Sequence, residues 1–269
     1  MRAFLKSSAA VLLLVAGFAA GPVRAAESAA EGHEGGGHGT EGVDWQGWKA
    51  GNEVSNVASL QRGARNFTNY CLGCHSMKYV RYQRMADDLH ISEEQLRDNL
   101  IPTGAKTTDY MLSTFPAADA EAWFGKAPPD LSLIARAKGP DYVFRFLKGF
   151  YVDDTRPVGT NNLALPGAAM PAVLSDLEGV KRAVFHEAGA AGGGHGGGPS
   201  VERFEEVSPG VMKPEEFDGF VRDTVNFIDY AGEPAQVARV HLGVWVVLFL
   251  MVFTWFTYLL KQEYWKDVH

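Results

Sequence analysis

Two cysteines and a histidine stand close together in this sequence, in the order Cys71-Leu72-Gly73-Cys74-His75. The C-x-x-C-H spacing is the pattern of c-type haem attachment. Two thiols three residues apart lie on one side of a helical turn, so each can form a thioether with one vinyl group of the porphyrin. The histidine that follows can ligate the iron. The spacing therefore predicts one covalently bound haem c, attached at Cys71 and Cys74 and ligated by His75.

A paired C-x-x-C also occurs in redox proteins and in zinc sites. A thioredoxin-type redox pair is expected beside a β-α-β pattern in a cytosolic protein. A structural zinc site needs further ligands at matching spacing. Cys71 and Cys74 are the only cysteines among the 269 residues, so no second pair completes a zinc site.

The sixth iron ligand has to come from elsewhere in the chain. Methionine at this position raises the potential of a His-ligated haem, and the sequence contains seven methionines. Met1 would be removed with a predicted signal peptide, and Met251 lies in an apolar run near the C-terminus. Met77 is too close to His75 to reach the opposite face of the ring. The methionines that remain are Met85, Met111, Met170 and Met212.

Met170 is the preferred sixth ligand. It ends the segment Leu165-Pro166-Gly167-Ala168-Ala169-Met170 and is followed by Pro171, which restricts the backbone on both sides of the peptide bond. A stiff loop suits an axial ligand, because the thioether has to be held in place. Met111 and His186 remain the alternatives, and a lone methionine also serves as ordinary core filler.

Two helices are expected to position this chemistry. Residues 60–70 form a predicted helix that leads into the cysteine motif, with Gly63 and Phe67 one turn apart. A glycine at that position allows a second helix to approach closely. Residues 214–230 form an amphipathic helix that starts with Pro214 in its first turn. We expect this helix to pack on the Gly63 and Phe67 face.

Shorter helices are expected between these two. Residues 79–88 form one of them. Ser92 and Gln95 form a predicted capping box at the start of another. Asp141 is the predicted N-cap of a helix over residues 141–148, which Gly149 ends.

Residues 101–140 are rich in proline and glycine, which predicts long loops. Pro128-Pro129-Asp130-Leu131 is a stiff segment that can lay a leucine on the porphyrin. Arg136 and Lys138 follow, and either can neutralise a buried propionate through charge-assisted hydrogen bonds. The alternative for each is a solvated surface charge.

Residues 1–25 have the features of a secretory signal peptide: basic residues, a short apolar run and a small-residue cleavage site. The apolar run is too short to span a bilayer of about 30 Å. Residues 26–44 are a Gly- and His-rich lead-in that we expect to be disordered. A second Gly-rich tract, residues 188–200, is expected to be a flexible insert.

A C-terminal membrane anchor is predicted over residues 239–261. Residues 242–260 carry no charge and span about 28 Å as a helix. Export of the domain at residues 45–238 then leaves residues 262–269 as a cytoplasmic tail. The whole chain carries 25 basic and 32 acidic residues, a net charge of −7. This acidic balance favours a basic protein partner and does not favour nucleic acid.

These motifs resemble the cytochrome c1 family, the haem c subunits of the cytochrome bc1 (ubiquinol–cytochrome c reductase) complex. The resemblance extends over residues 54–269. Its most specific parts are the C-x-x-C-H motif, Pro128-Pro129-Asp130-Leu131-Ser132, Asp141-Tyr142-Val143-Phe144, Ala169-Met170-Pro171 and residues 261–269.

The resemblance implies particular roles for individual residues. His75 and Met170 are the implied axial ligands. A basic residue after the Pro-Pro-Asp-Leu-Ser loop and a tyrosine in the next helix contact propionates in the family, and they map here to Lys138 and Tyr142. The family often has arginine at the first of these positions, so Lys138 is a departure and Arg136 is a second candidate.

The implied fold class is mainly α: a cytochrome c-like haem domain with long loops and one C-terminal transmembrane helix. The implied function is one-electron transfer from a Rieske iron–sulfur protein to a soluble or membrane-anchored cytochrome c. Cytochrome b is the implied membrane partner, within a dimeric complex of the bacterial inner membrane. The haem domain would lie on the periplasmic side, and no independent catalytic site is expected in this chain.

Two other functions use similar residues. A haem c subunit of a terminal oxidase also carries electrons, although such subunits are more often tethered at the N-terminus. A haem enzyme such as a peroxidase needs an exchangeable sixth position, which a bound Met170 would fill.

Overall fold

A computed structural model describes residues 42–186 and 200–267 of the chain. The predicted signal peptide, almost all of the predicted lead-in and most of the predicted Gly-rich insert lie outside these residues. The α-helices of the described part are α1 (Val57–Tyr70), α2 (Tyr82–Leu89), α3 (Glu93–Leu100), α4 (Ala117–Phe124), α5 (Ile134–Lys138), α6 (Pro140–Lys148), α7 (Ser175–Glu178), α8 (Pro214–Gly232) and α9 (Gln236–Tyr264).

The strands form three antiparallel pairs, β1 with β2, β3 with β4 and β5 with β6. Their bounds are β1 (Met77–Arg81), β2 (Tyr110–Met111), β3 (Phe150–Val152), β4 (Thr160–Asn162), β5 (Gly179–Phe185) and β6 (Val201–Pro209). The described part is therefore mainly helical, as the fold class predicted. The core lies where α1, α6 and α8 meet.

The close packing of α1 on α8 is confirmed. A Cβ added at Gly63 would lie 2.1 Å from the carbonyl oxygen of Asp223 and 2.7 Å from Cβ of Phe227. One turn along α1, the ring of Phe67 is fully buried with its centroid 5.7 Å from that of Phe227. The glycine lets the backbones meet, and the two rings fill the space beside it.

A buried carboxylate fixes the same two helices in register. Asp223 of α8 accepts hydrogen bonds from Nε of Arg62 at 2.5 Å and from the hydroxyl of Ser59 at 2.6 Å, both on α1. The side chain of Asn226 donates in turn to the Ser59 hydroxyl at 2.9 Å. Both carboxylate oxygens of Asp223 are therefore paired, so burying this charge does not carry the cost of an unpaired group.

The helix predicted over residues 79–88 is wrong in its first turn. Its first residues belong to β1, and α2 starts only at Tyr82. The strand arises from a long-range pairing, since Met77 lies opposite Met111 and Arg81 opposite Tyr110 of β2. A local pattern does not reveal such a partner.

The helix predicted over residues 141–148 is present, but Asp141 is not its N-cap. The helix α6 begins at Pro140, with Gly139 as N-cap at φ +88°. Proline suits the first position because its missing N–H would have no partner there. The Asp141 side chain instead accepts from the backbone N–H of Ala50 at 2.9 Å. Gly149 ends the helix as predicted.

The capping box at α3 is confirmed in both directions. The Ser92 hydroxyl accepts from the N–H of Gln95 at 3.2 Å, and the Gln95 side chain accepts from the N–H of Ser92 at 3.1 Å. The helix α8 runs from Pro214 to Gly232 and so extends the predicted amphipathic helix by half a turn.

The β5–β6 ribbon was not predicted. It pairs Gly179 with Pro209 at one end and Phe185 with Val201 at the other. The N–H of Val43 donates to the carbonyl of Val201 at 2.7 Å, which attaches the start of the described chain to this ribbon.

The helix α9 is long and apolar enough to cross a membrane. The candidate span runs from Ala238 to Tyr264 with a mean hydropathy of 2.1. None of its hydropathic window is buried against the rest of the chain, and Trp245 is 72 % exposed. The predicted C-terminal apolar helix is therefore present.

Candidate functional site

One apolar cavity collects most of the residues that the sequence singled out. It has a volume of about 270 Å³. Cys71, Cys74, His75, Tyr142 and Met170 all line it. Residues separated by almost a hundred positions in the sequence thus meet around one space, as a covalent haem with two axial ligands requires.

The cysteine motif forms a tight turn at the end of α1. The N–H of Cys74 and the N–H of His75 both donate to the carbonyl of Cys71, at 3.1 and 2.8 Å. Cys71 is buried, and this burial raises the pKa of its thiol to about 12, whereas Cys74 is exposed. Both cysteines nevertheless line the cavity.

The ring of His75 is oriented by one backbone group. Its Nδ1 lies 2.8 Å from the carbonyl oxygen of Pro129. A carbonyl only accepts hydrogen bonds, so Nδ1 carries the proton and Nε2 keeps its lone pair. Burial lowers the pKa of the ring, and the Pro129 carbonyl and the Asp130 charge oppose this only in part. The geometry therefore presents a neutral imidazole suited to a metal ion.

The loop that holds this carbonyl is itself fixed by Asp130. One carboxylate oxygen accepts from the N–H of Lys78 at 2.9 Å, and the other accepts from the N–H of Ser132 at 3.1 Å. Leu131 donates its N–H to the carbonyl of Ser76 at 2.9 Å and lines the cavity. The leucine thus lies on the wall of the same cavity as His75.

Met170 lies in a loop that two asparagines hold in place. The Asn161 side chain accepts from the N–H of Gly167 at 2.7 Å. The Asn162 side chain accepts from the N–H of Ala164 at 2.9 Å and donates to the carbonyl of Phe146 at 2.8 Å. The sequence analysis missed both residues. Paired asparagines just before a Pro-Gly loop were the available signal, since asparagine bonds readily to nearby backbone.

The two alternatives to Met170 do not line the cavity. Met111 is fully buried on β2, opposite Met77. His186 bonds through its backbone N–H to the carbonyl of Ser200 at 3.3 Å, beside the β5–β6 ribbon. Of the three candidates, the structure therefore brings only Met170 to the same cavity as His75.

The three candidates for propionate contacts lie in different surroundings. Tyr142 lines the cavity, and its partial burial raises the pKa of its hydroxyl. Lys138 lies outside the lining, with Nζ 5.8 Å from the centre of the Tyr142 ring. Arg136 also lies outside the lining and forms an ion pair with Glu233.

Lys126 is a cationic residue on the cavity wall that the sequence analysis missed. It lies two residues before Pro128, after the glycine that ends α4. A lone lysine in a loop carries no distinctive pattern, so only its place in the fold reveals it.

The arrangement suits an apolar cofactor that brings its own metal. Within residues 42–186 and 200–267, no cluster of three or more His, Cys, Asp or Glu side chains is placed to hold a bare metal ion. The cavity instead offers two thiols for covalent bonds, an imidazole with a free nitrogen and a thioether sulfur. This donor set fits a haem c, whose ring needs apolar walls and whose iron needs two axial ligands.

Comparisons with known proteins agree with this donor set. A family model described as the Cytochrome C1 family matches residues 49–180 and 210–268. The chain is 48 % identical over 217 residues to a cytochrome c1 of Allochromatium vinosum, covering 81 % of this chain and 87 % of the other. It is 31 % identical to a cytochrome c1 of Rhodospirillum rubrum, covering 78 % and 81 %.

A further relative has a different name. The chain is 43 % identical over 211 residues to a protein of Nitrosomonas europaea named ammonia monooxygenase gamma subunit, covering 78 % of this chain and 84 % of the other. The family model leaves residues 181–209 unmatched, which include most of β5 and all of β6.

Proposed function

Because the chain belongs to the cytochrome c1 family, we propose that Cys71 and Cys74 form its thioethers and that His75 and Met170 ligate its iron. The chain carries one covalently bound haem c and transfers electrons in the cytochrome bc1 complex, as a membrane-anchored subunit. The observation that carries the residue assignment is the common cavity, where the two cysteines of the motif, the oriented imidazole and Met170 meet.

Each of these residues has a defined task. The bound haem supplies a one-electron couple at its iron. His75 offers Nε2 as a neutral donor, because Pro129 holds the proton on Nδ1. Met170 favours the reduced state of the couple through its thioether. The apolar walls exclude water, so the charge of the couple is less screened than in solvent.

Propionate contacts fall to residues at the polar edge of the cavity. Tyr142 is the first candidate, because its hydroxyl belongs to a side chain that lines the cavity. Lys138 lies against the same ring and can add a positive charge. Lys126 is a further candidate from the opposite end of the loop. Arg136 was predicted for this role, and its ion pair with Glu233 points to another one.

The partners follow from the place of this family in the bc1 complex. We propose that a Rieske iron–sulfur protein is the electron donor and that a soluble or membrane-anchored cytochrome c is the acceptor. The exposed sides of α9 would pack beside cytochrome b and lipid, with the complex as a dimer. The haem domain would lie on the periplasmic side of a bacterial inner membrane. The family match favours this role over that of an oxidase haem c subunit.

Substitution of Met170 tests the assignment. Met170→Leu keeps an apolar side chain but removes the sulfur, so we expect loss of the far-red methionine-to-iron absorption band and a marked fall in reduction potential. Both are measured on the detergent-solubilised full chain, by visible spectroscopy and redox titration.

Met111→Leu is the matched control, since Met111 was an alternative ligand and is fully buried outside the cavity lining. It should leave the band and the potential unchanged. If the band survives in Met170→Leu and is lost in the control, the ligand assignment is wrong and the loop at residues 165–171 has another role.

A further inference from the structure

A three-residue elbow joins the haem domain to its membrane helix. The helix α8 ends at Gly232, and α9 starts at Gln236. Glu233 has a non-helical backbone, with φ −156° and ψ 76°, and Pro234 after it has no N–H to continue the helix. Backbone hydrogen bonds join Glu233 to Tyr230 and Gln236 to Glu233, both at 3.0 Å, and side-chain contacts across the link can add to them.

Glu233 makes contacts to both sides of the elbow. Its carboxylate forms an ion pair with Arg136 of the haem domain. Its other oxygen lies 3.0 Å from a guanidinium nitrogen of Arg239, in the first turns of α9. The Glu233 side chain is only 22 % exposed, whereas the two arginines are 51 % and 63 % exposed. One carboxylate thus holds two guanidinium groups that approach it from different elements.

Helix-end electrostatics favour this arrangement over an unpaired one. Glu233 follows the carboxyl end of α8, where a helix favours a cation, and Arg136 supplies that cation. Arg239 lies near the amino end of α9, where a helix favours an anion, and Glu233 supplies it. Glu233 and Arg239 thus each lie at an unfavourable helix end, and the opposite charge of a partner offsets this cost. Removing that partner leaves the cost uncompensated.

Arg136 connects this cluster to the haem cavity. It lies on the short helix α5, whose first residue, Ile134, lines the cavity. The loop before α5 holds the Pro129 carbonyl that orients His75. Arg136 also lies against the elbow itself, since a Cβ added at Gly232 would be 3.0 Å from its Cγ atom. The cavity wall that orients His75 therefore continues through α5 into the cluster of Glu233, Arg136 and Arg239.

We propose that Glu233, paired with Arg136 and Arg239, is a positioning residue that sets the orientation of the haem relative to the membrane. The cluster replaces the predicted contact between Arg136 and a propionate. This inference rests on the haem site proposed above, because the haem plane is its readout. In the bc1 complex, such an orientation would fix the haem at a constant distance and angle for its membrane-bound electron donor.

Haem-plane orientation is measured by linear dichroism of the haem absorption in aligned bilayers that contain the full-length, haem-loaded chain. We expect a defined tilt for the unaltered chain. Glu233→Gln, Arg136→Gln and Arg239→Gln should each broaden the tilt, so that the dichroic ratio falls towards that of an unaligned sample. The double variants should lose little more than the single ones, because all three residues form one cluster.

Two control variants separate this role from others. Arg203→Gln removes a surface arginine that pairs with Glu202 and Glu205 on β6, and it should leave the tilt unchanged. Lys138→Gln removes the neighbouring cation of α5 and should change the reduction potential without broadening the tilt. Arg136→Gln should broaden the tilt and leave the reduction potential unchanged.

The outcomes decide between the two roles of Arg136. An unchanged dichroic ratio in the three cluster variants, or a lack of any preferred tilt in the unaltered chain, overturns the inference. A shift in potential for Arg136→Gln with an unchanged tilt also overturns it and restores the propionate role. Failure of the ligand assignment is recognised separately, by the Met170→Leu spectrum.

Discussion

The interface of α1 with α8 is filled by the chain's own side chains, whereas the cavity at the end of α1 is enclosed by them and is the proposed site of the haem. At the interface, Phe67 and Phe227 are in contact and Asp223 has every oxygen bonded. At the cavity, loops held by Asn162 and Asp130 surround an apolar space.

The difference separates two sources of stability. The interface gains burial, dispersion and hydrogen bonds without any other molecule. With the haem in its proposed site, the walls of the cavity would gain apolar burial from the porphyrin, because the side chains that line it have few partners on the opposite wall. On the proposed assignment, the same helix, α1, has one face that is stable alone and one end that depends on haem.

The largest expected effect comes from preventing haem attachment. In the double variant Cys71→Ser, Cys74→Ser, we expect α6 and residues 165–171 to lose amide protection on the order of a hundredfold or more, because their apolar burial is lost. The helices α1 and α8 should keep most of theirs. Hydrogen exchange of the detergent-solubilised chain, read by mass spectrometry, measures both. An equal loss in all of these segments would show that the two regions are not separable.

A cavity made in the interface should have an effect of comparable size. Phe67→Ala removes a fully buried ring, so we expect a loss of about 3–5 kcal/mol in the free energy of unfolding. Denaturant titration of the haem-loaded chain provides the measurement. Phe185→Ala is the control, since Phe185 is 38 % exposed on β5, and its loss should be about 1 kcal/mol or less. If the two variants lose the same free energy of unfolding, the interface of α1 with α8 contributes no more to stability than an exposed ring on β5.

Adding one methyl group to the interface should have a smaller effect of the same sign. In Gly63→Ala the new Cβ meets the Asp223 carbonyl at 2.1 Å, so the helices have to separate, at a cost of about 1–3 kcal/mol in unfolding free energy. Gly219→Ala on α8 has open space around its Cβ and should stabilise the helix by about 0.5–1 kcal/mol. The same denaturant titration applies. If Gly63→Ala is neutral or stabilising, the two helices are less closely packed than the 2.1 Å approach indicates.

The smallest effect concerns a tyrosine at the edge of the interface and is confined to alkaline pH. The Tyr230 hydroxyl donates to Asp88 at 2.7 Å, and burial, together with this bond, raises the pKa of the phenol. The folded chain thus holds this proton more tightly than the unfolded chain, whose tyrosines ionise near pH 10. The stability from Tyr230 is fully present below about pH 10 and is lost as pH rises above it.

Tyr230→Phe should therefore show a weaker fall in stability between pH 8 and pH 11 than the unaltered chain. The unfolding free energy of both chains is measured at each pH. Tyr82 and Tyr142 also have raised pKa values and contribute equally to both chains, so the difference between the chains isolates Tyr230. If the unfolding free energies of the two chains fall equally over this pH range, the folded chain does not hold the Tyr230 proton more tightly than the unfolded chain.

The sequence predicted the features that depend on short-range patterns. The interface helices follow from apolar residues at helical spacing, and Gly63 marks the closest contact between them. The cysteine motif, Met170 and Tyr142 carry distinctive spacing or a distinctive family context, and the structure places them in one cavity. Their roles as ligands and contacts remain predictions, which the substitutions above test.

The features that the sequence did not predict depend on residues far apart in the chain. The strand β1 exists because β2 lies beside it, and β5 because β6 does. The partners of Asn162 and Asp141 lie in other elements, at Phe146 and Ala50. A local pattern contains no record of these pairings, because packing rather than propensity decides them.

The bond between His75 and Pro129 has a consequence for the basicity of the imidazole. Asp130 is the neighbouring carboxylate, but both of its oxygens are engaged by backbone N–H groups of Lys78 and Ser132. The imidazole proton is therefore shared with a neutral peptide oxygen and not with an anion. An anionic acceptor would draw the proton away and give the ring imidazolate character, making it a stronger electron donor to iron. With His75 as the proposed iron ligand, the peptide acceptor would limit this donation and so favour the ferrous state over the ferric.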